Sequence, residues 1–86
     1  MQFSWSKEYV RRYSRLPKKI QQQVEARTLA FAMNEFDSIL NNHKLSGEYA
    51  GKRSINITGN YRAIYQKLEN GMVHWVAIGT HSQLYE

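Results

Sequence analysis

Midway along the chain the apolar residues change their spacing, and that change limits which folds are open to it. From Tyr9 to Leu40 they recur at the three-to-four-residue interval of amphipathic helices; from Arg53 to Ile78 they alternate or cluster in short aromatic and aliphatic runs, as strands do. Before the helical stretch, Gln2 to Trp5 alternates polar and apolar with Phe3 and Trp5 on one face, which predicts a short strand, and Ser6 then offers a helix N-cap. Tyr9, Val10, Tyr13 and Leu16 make the apolar stripe of a first helix whose other positions carry Lys7, Arg11, Arg12 and Arg15, and Pro17 breaks it. From Pro17, Ile20, Val24, Leu29, Ala32, Phe36, Ile39 and Leu40 predict one long helix of about six turns, stopped by Asn41 and Asn42. The tight Pro-containing connection makes the two helices an antiparallel hairpin.

A Gly-containing loop from His43 to Gly51 leads into a strand at Arg53 to Ile57 with Ile55 and Ile57 inward, and Thr58-Gly59-Asn60 turns the chain. Tyr61 to Leu68 and Met72 to Ile78 are joined by an Asn70-Gly71 hairpin signal, and a tail from Gly79 to Glu86 follows. The order strand, helix, helix, three strands predicts an α+β layer, with the helices packed on one face of a mostly antiparallel sheet and the other face uncovered. With 86 residues there is room for one core and one domain, residues 1–86.

Composition narrows the chemistry. No cysteine is present, which excludes disulfides, thiolate metal sites and a thiol nucleophile and fits a reducing cytoplasm. No apolar run approaches the roughly 18–20 residues that span a bilayer, and Met1 to Ser6 has no signal-peptide core, so we expect a cytoplasmic protein with no membrane partner. Twelve Lys and Arg against seven Asp and Glu give a net charge of +5, which favours an anionic partner on the open sheet face.

His43, Arg53, Arg62, His81 and Tyr85 all fall at strand ends or loops and form the candidate site. Cutting RNA without a metal needs a base for the 2′-hydroxyl proton, a cation for the charge that develops on phosphorus, and an acid for the leaving 5′-oxygen. Histidine can serve in either proton role, and arginine grips phosphate bidentately. His74, inside the third strand, reads as an outward-facing strand residue, and Tyr9 and Tyr13 as packing groups. The histidines lack metal-ligand spacing, no phosphate-binding glycine motif is present, and we expect neither metal nor cofactor.

The segments His43 to Tyr49, Gly51 to Ser54, Tyr61 to Tyr65 and Gly79 to Tyr85, with HxLxG and GTHxxLY as their specific pieces, resemble the RelE/ParE superfamily of bacterial toxins, most closely its YafQ-like branch. The resemblance spans nearly the whole chain. It implies a RelE-like fold and the toxin of a type II toxin–antitoxin pair, a ribosome-dependent endoribonuclease that cuts mRNA in the ribosomal A site. Its partners would be mRNA on the ribosome and an acidic cognate antitoxin, the toxin being a monomer or part of a hetero-oligomer with that antitoxin. Matched to the branch, His43, His81 and Tyr85 are functional positions and Arg62 contacts phosphate. We accordingly expect His43 as base and His81 as acid, with some ability of the two to exchange these roles, Tyr85 as the stacking or orienting group, Arg62 and Arg53 as phosphate clamps, and Lys44 and Lys52 as further RNA contacts. The chain departs from the family at Ser54, Asn56 and Asn60, where a further histidine and acidic residues are common. Two alternatives stand beside this reading: a ParE-like inhibitor of DNA gyrase without nuclease chemistry, and a catalytically weakened RNA- or protein-binding homologue.

Overall fold

The computed structural model describes residues 1–85. The chain runs β1 (Phe3–Trp5), α1 (Lys7–Ser14), α2 (Lys18–Met33), β2 (His43–Lys44), β3 (Arg53–Asn56), β4 (Tyr61–Lys67), β5 (Val73–Thr80) and α3 (His81–Tyr85). The five strands form one sheet in the order β1-β5-β4-β3-β2. β1 runs parallel to β5, and the other three pairings are antiparallel. The expected α+β class and mostly antiparallel sheet are what the chain adopts.

Ser6 starts α1 as expected, its hydroxyl accepting from the Tyr9 amide at 3.0 Å. The same hydroxyl donates to the Val76 carbonyl at 2.7 Å, so the cap also pins the helix to β5. The helical hairpin is tied by Gln21 Nε2 donating to the Tyr13 carbonyl at 2.9 Å and Tyr13 Oη donating to Glu25 at 2.7 Å. Its inner side buries Tyr9, Val24 and Phe31 against Ile55, Ile57, Ala63, Tyr65, Val73, Trp75 and Ile78 of the sheet region. Tyr9 and Tyr13 thus serve packing. His74, half-buried, shares a hydrogen bond with the Ser4 hydroxyl across the β1–β5 pair.

The second helix is shorter than its periodicity predicts. It ends at Met33 because Asn34 leaves helical backbone (φ −160°, ψ 100°) and its side chain accepts from the Phe36 amide at 3.1 Å. Asp37 does the same for Ile39 at 3.0 Å and caps a single tight turn over Ser38–Leu40. Short polar side chains have here outcompeted the helical ladder for backbone amides. Phe36 and Ile39 consequently stay exposed at 62% and 52%, and only Leu40 reaches the core.

β5 carries a bulge. Ile64 faces Ala77 while Tyr65 faces Trp75, so Val76 is an extra residue that shifts the alternation by one. Trp75 and Ile78 therefore both point to the helices, and Ala77 joins Ile64 on the other face. That other face is not fully open, contrary to expectation. The tail after β5 is helical, and its Leu84, with Leu45 and Tyr49 from the β2–β3 loop, packs on Ile64 and Ala77. β5 itself runs two residues past the expected end, to Thr80, and Glu86 at the end of the tail lies outside the described residues.

Candidate functional site

The sheet ladder decides which candidates can meet. His43 stands opposite Ser54, Ser54 opposite Ile64 and Ile64 opposite Ala77; the next rung of the same face is Asn56, Arg62 and Gly79. His43 and Arg62 therefore share the face that α3 crosses. His43 lies in a two-residue strand and not in the expected loop, so the pairing with Ser54 fixes its direction.

α3 brings the other two. Thr80 and Gln83 cap it reciprocally, Gln83 Oε1 accepting from the Thr80 amide at 2.8 Å and Thr80 Oγ1 accepting from the Gln83 amide at 3.2 Å. The His81 amide donates to the Asn60 carbonyl at 3.0 Å. Helical spacing then sets Tyr85 one turn beyond His81, with their rings 4.7 Å apart, while Tyr49 meets Tyr85 edge-on at 6.2 Å. Burial, then the Glu48 carboxylate, raises the Tyr49 phenol above its ordinary range, so that ring packs as a neutral group. Thr80→Ala or Gln83→Ala should cost about 0.5–2 kcal/mol, typical of a lost cap. Thermal unfolding checks this through a Tm decrease of about 4–8 °C per kcal/mol, with Gln83→Glu, which preserves the box, close to wild type.

A cavity of about 290 Å³ is lined by Asn41, His43, Leu45, Arg62, His81 and Tyr85. His43 Nδ1 lies 2.8 Å from the Asn41 carbonyl, and because a carbonyl only accepts, Nδ1 carries the proton and Nε2 of the neutral ring is left as an acceptor. Asn41 makes this contact from the left-handed region (φ 46°), the one non-glycine residue there among the described residues. Arg62 Nη1 donates to the carbonyls of Thr58, Gly59 and Tyr61 at 2.9–3.1 Å, while its Nη2 and Nε make no hydrogen bond among the described residues. Among the described residues the Tyr85 hydroxyl is buried without a partner, as are Ser54 Oγ and Asn56 Oδ1 on the same face of the sheet. No carboxylate is among the lining residues, and the described residues contain no cluster of three His, Asp or Glu able to hold a metal ion. An imidazole whose Nδ1 is engaged by a carbonyl, a second histidine, a guanidinium with free donors and a phenol suit a phosphodiester.

The cavity gathers four of the seven expected site residues. Arg53 stands opposite Lys44 and Tyr65, on the helix side of the sheet. There its Nε donates to Asn42 Oδ1 at 2.8 Å and its guanidinium lies 5.4 Å from the Phe36 ring centre. Asn42 in turn donates to the Glu35 carbonyl and Tyr65 Oη, so Arg53 holds down the segment after α2. Neither Lys44 nor Lys52 lines the cavity. Asn41 and Leu45 are lining residues that sequence reading missed; the tolerance of asparagine for left-handed backbone is the signal that could have flagged Asn41. The spacing Thr80-x-x-Gln83 is likewise a readable capping box that predicts a helix carrying His81 and Tyr85 together.

A family model described as the bacterial toxin YafQ of a type II toxin–antitoxin system matches residues 1–86. No curated protein matches the chain in sequence. Among solved structures, YafQ from E. coli strain BL21(DE3) superposes with a TM-score of 0.80 at 16% identity, covering 99% of this chain and 98% of that one. A YoeB/ParE toxin from Agrobacterium tumefaciens gives 0.78 at 18% identity, covering 94% and 99%. The toxin chain of the E. coli DinJ–YafQ toxin–antitoxin complex gives 0.74 at 19% identity, covering 99% and 97%.

Proposed function

The chain belongs to the YafQ family of bacterial toxins of type II toxin–antitoxin systems, and from that premise we propose that it is a metal-independent endoribonuclease that cuts mRNA in the ribosomal A site and is silenced by an acidic antitoxin. The observation that carries this reading is the cavity where His43, Arg62, His81 and Tyr85 converge, with no carboxylate among the described lining residues. His43, with Nδ1 donating to the Asn41 carbonyl so that Nε2 is the nitrogen available as acceptor in the neutral ring, takes the 2′-hydroxyl proton as the 2′-oxygen attacks phosphorus. Arg62, its Nη1 fixed by the Thr58–Tyr61 turn, directs Nη2 and Nε to the charge that builds on the phosphoryl oxygens. His81 protonates the departing 5′-oxygen, leaving a 2′,3′-cyclic phosphate on one fragment. Tyr85, braced by Tyr49, orients the nucleotide through its ring.

The set is sparse because Ser54, Asn56 and Asn60 supply no proton carrier: Ser54 is buried, and Asn60 serves through its backbone, accepting from His81. Positioning of the mRNA by the ribosome supplies the orientation that a fuller site would provide. An antitoxin partner is supported by the DinJ–YafQ complex, a toxin bound to its antitoxin, and by the +5 charge of this chain.

A primer-extension map of one mRNA in a purified translation reaction tests the reading. Cuts should appear with translating ribosomes and not on the same RNA free in solution. Growth arrest in cells without any cut on the ribosome would overturn it and point to a protein target such as gyrase.

A further inference from the structure

Across α3 from this cavity lies a second one, of about 400 Å³, lined by Arg12, Arg15, Leu16, Pro17, Tyr61, Ile78 and Gln83. The two cavities share no lining residue and open on either side of the end of the sheet: α3 carries Gln83 on one and His81 and Tyr85 on the other, and β4 sends Tyr61 to the helix side and Arg62 to the opposite face. Gly79 makes the approach between α1 and α3 possible. A Cβ on it would sit 2.7 Å from Gln83 Oε1 and 3.2 Å from Arg12 Nη1, so the bare backbone lets both side chains converge over the end of β5.

We propose that this cavity is a second subsite for single-stranded RNA, holding a phosphodiester of the strand outside the site formed by His43, Arg62 and His81; it rests on the nuclease reading only for the existence of that first RNA site. Two guanidinium groups offer forked donors for phosphate, and Tyr61, partly buried against the core together with Leu16, is the aromatic residue of the lining available to a base. Arginine beside an aromatic ring is the pairing that sequence-tolerant single-strand grooves use, and an acidic peptide would have no use for the ring. Glu8 restrains the site: its carboxylate lies 3.4 Å from Arg12 Nη2 and 3.9 Å from Arg11. An incoming phosphate competes with that carboxylate for Arg12.

The test is fluorescence anisotropy with a labelled 2′-O-methyl RNA of about twelve nucleotides, a length that covers both cavities. Such an RNA lacks the attacking hydroxyl and cannot be cut, so failure of the nuclease reading leaves this measurement intact. Arg12→Ala combined with Arg15→Ala should weaken binding about tenfold at 0.1 M salt and reduce the salt slope by about 1.4, the value for two lost phosphate contacts on a single strand. Lys18→Ala with Lys19→Ala removes the same charge from exposed positions outside the cavity and should change affinity less than about twofold. Glu8→Gln should tighten binding. Equal losses in the two double variants would overturn the subsite in favour of diffuse charge. Equal RNA affinity of wild type and the Arg12/Arg15 variant, with a charge-matched polyglutamate losing affinity to that variant, would overturn it in favour of an acidic protein partner.

Discussion

His43→Ala and His81→Ala should each lower the single-turnover rate of mRNA cleavage on the ribosome by about 10²- to 10⁴-fold, the range for removal of a general base or acid. Binding to the ribosome should change little, because neither imidazole is a fixed cation in the way that Arg62 is. The two variants should then part company in two measurements. A base must be neutral to act and an acid protonated, so wild type has a rising limb at low pH and a falling limb at high pH. His43→Ala removes the rising limb, and His81→Ala removes the falling one. An mRNA carrying a single 5′-bridging phosphorothiolate at the cut site has a leaving group that needs no proton. That substrate should restore His81→Ala toward wild type and leave His43→Ala slow. The asymmetry follows from one hydrogen bond: Asn41, accepting from Nδ1 at 2.8 Å, leaves Nε2 of His43 as the acceptor. Restoration of His43→Ala in place of His81→Ala would exchange the roles, and restoration of neither would remove both from proton transfer.

Why the two histidines were legible in the sequence while their surroundings were less so is a matter of which forces act locally. The change from helical to alternating spacing at the middle of the chain reports burial, and burial decided the α+β layer and most of the core. The end of α2 was set instead by Asn34 and Asp37 binding neighbouring amides, a competition to which the apolar period is blind, since Phe36 and Ile39 continue it without being buried. The neighbours of Arg53 were set by a pairing register. Alternation alone places it on the inward face of Ile55 and Ile57, two and four residues on; what the sequence does not show is the register that sets Lys44 and Tyr65 opposite it. The bulge at Val76 belongs to the same class, since strict alternation would have sent Ile78 away from the helices. The convergence of His43 and His81, 38 positions apart by their numbers, came through family motifs. What positions them, the β2–β3 pairing and the Thr80–Gln83 box, is a matter of local backbone chemistry.

The same layering makes one core residue decisive for stability. Trp75→Ala should destabilise the fold by about 3–5 kcal/mol, the cost of truncating a buried large aromatic. Trp75 is fully buried, with ring centres of Phe3, Phe31 and Tyr65 at 5.5, 5.2 and 5.4 Å and Tyr9 at 6.2 Å, so α1, α2, β1 and β4 all meet on it. A domain of this size has a total stability of only about 4–13 kcal/mol, at about 0.05–0.15 kcal/mol per residue. The expected fall in Tm is therefore about 12–40 °C, read by circular dichroism because Trp75 is itself a fluorophore. One term works in the opposite direction: Trp75 Nε1 is buried with no hydrogen-bond partner, and removing an unsatisfied donor returns about 1–3 kcal/mol. Trp75→Phe isolates it, since it discards the nitrogen and retains most of the ring contacts. It should cost clearly less than Trp75→Ala, and a Tm within a few degrees of wild type would mean that the lost contacts and the relieved nitrogen nearly cancel. If Trp75→Ala itself melted within a few degrees of wild type, the aromatic cluster would not be what joins the helices to the sheet. The bulge gives this core a functional reach, because the Trp75 carbonyl accepts from the Ser6 amide and the Val76 carbonyl from the Ser6 hydroxyl. Loosening that joint frees the strand that ends at Thr80, directly before His81, so Trp75→Ala should lose cleavage activity at temperatures below its own melting point.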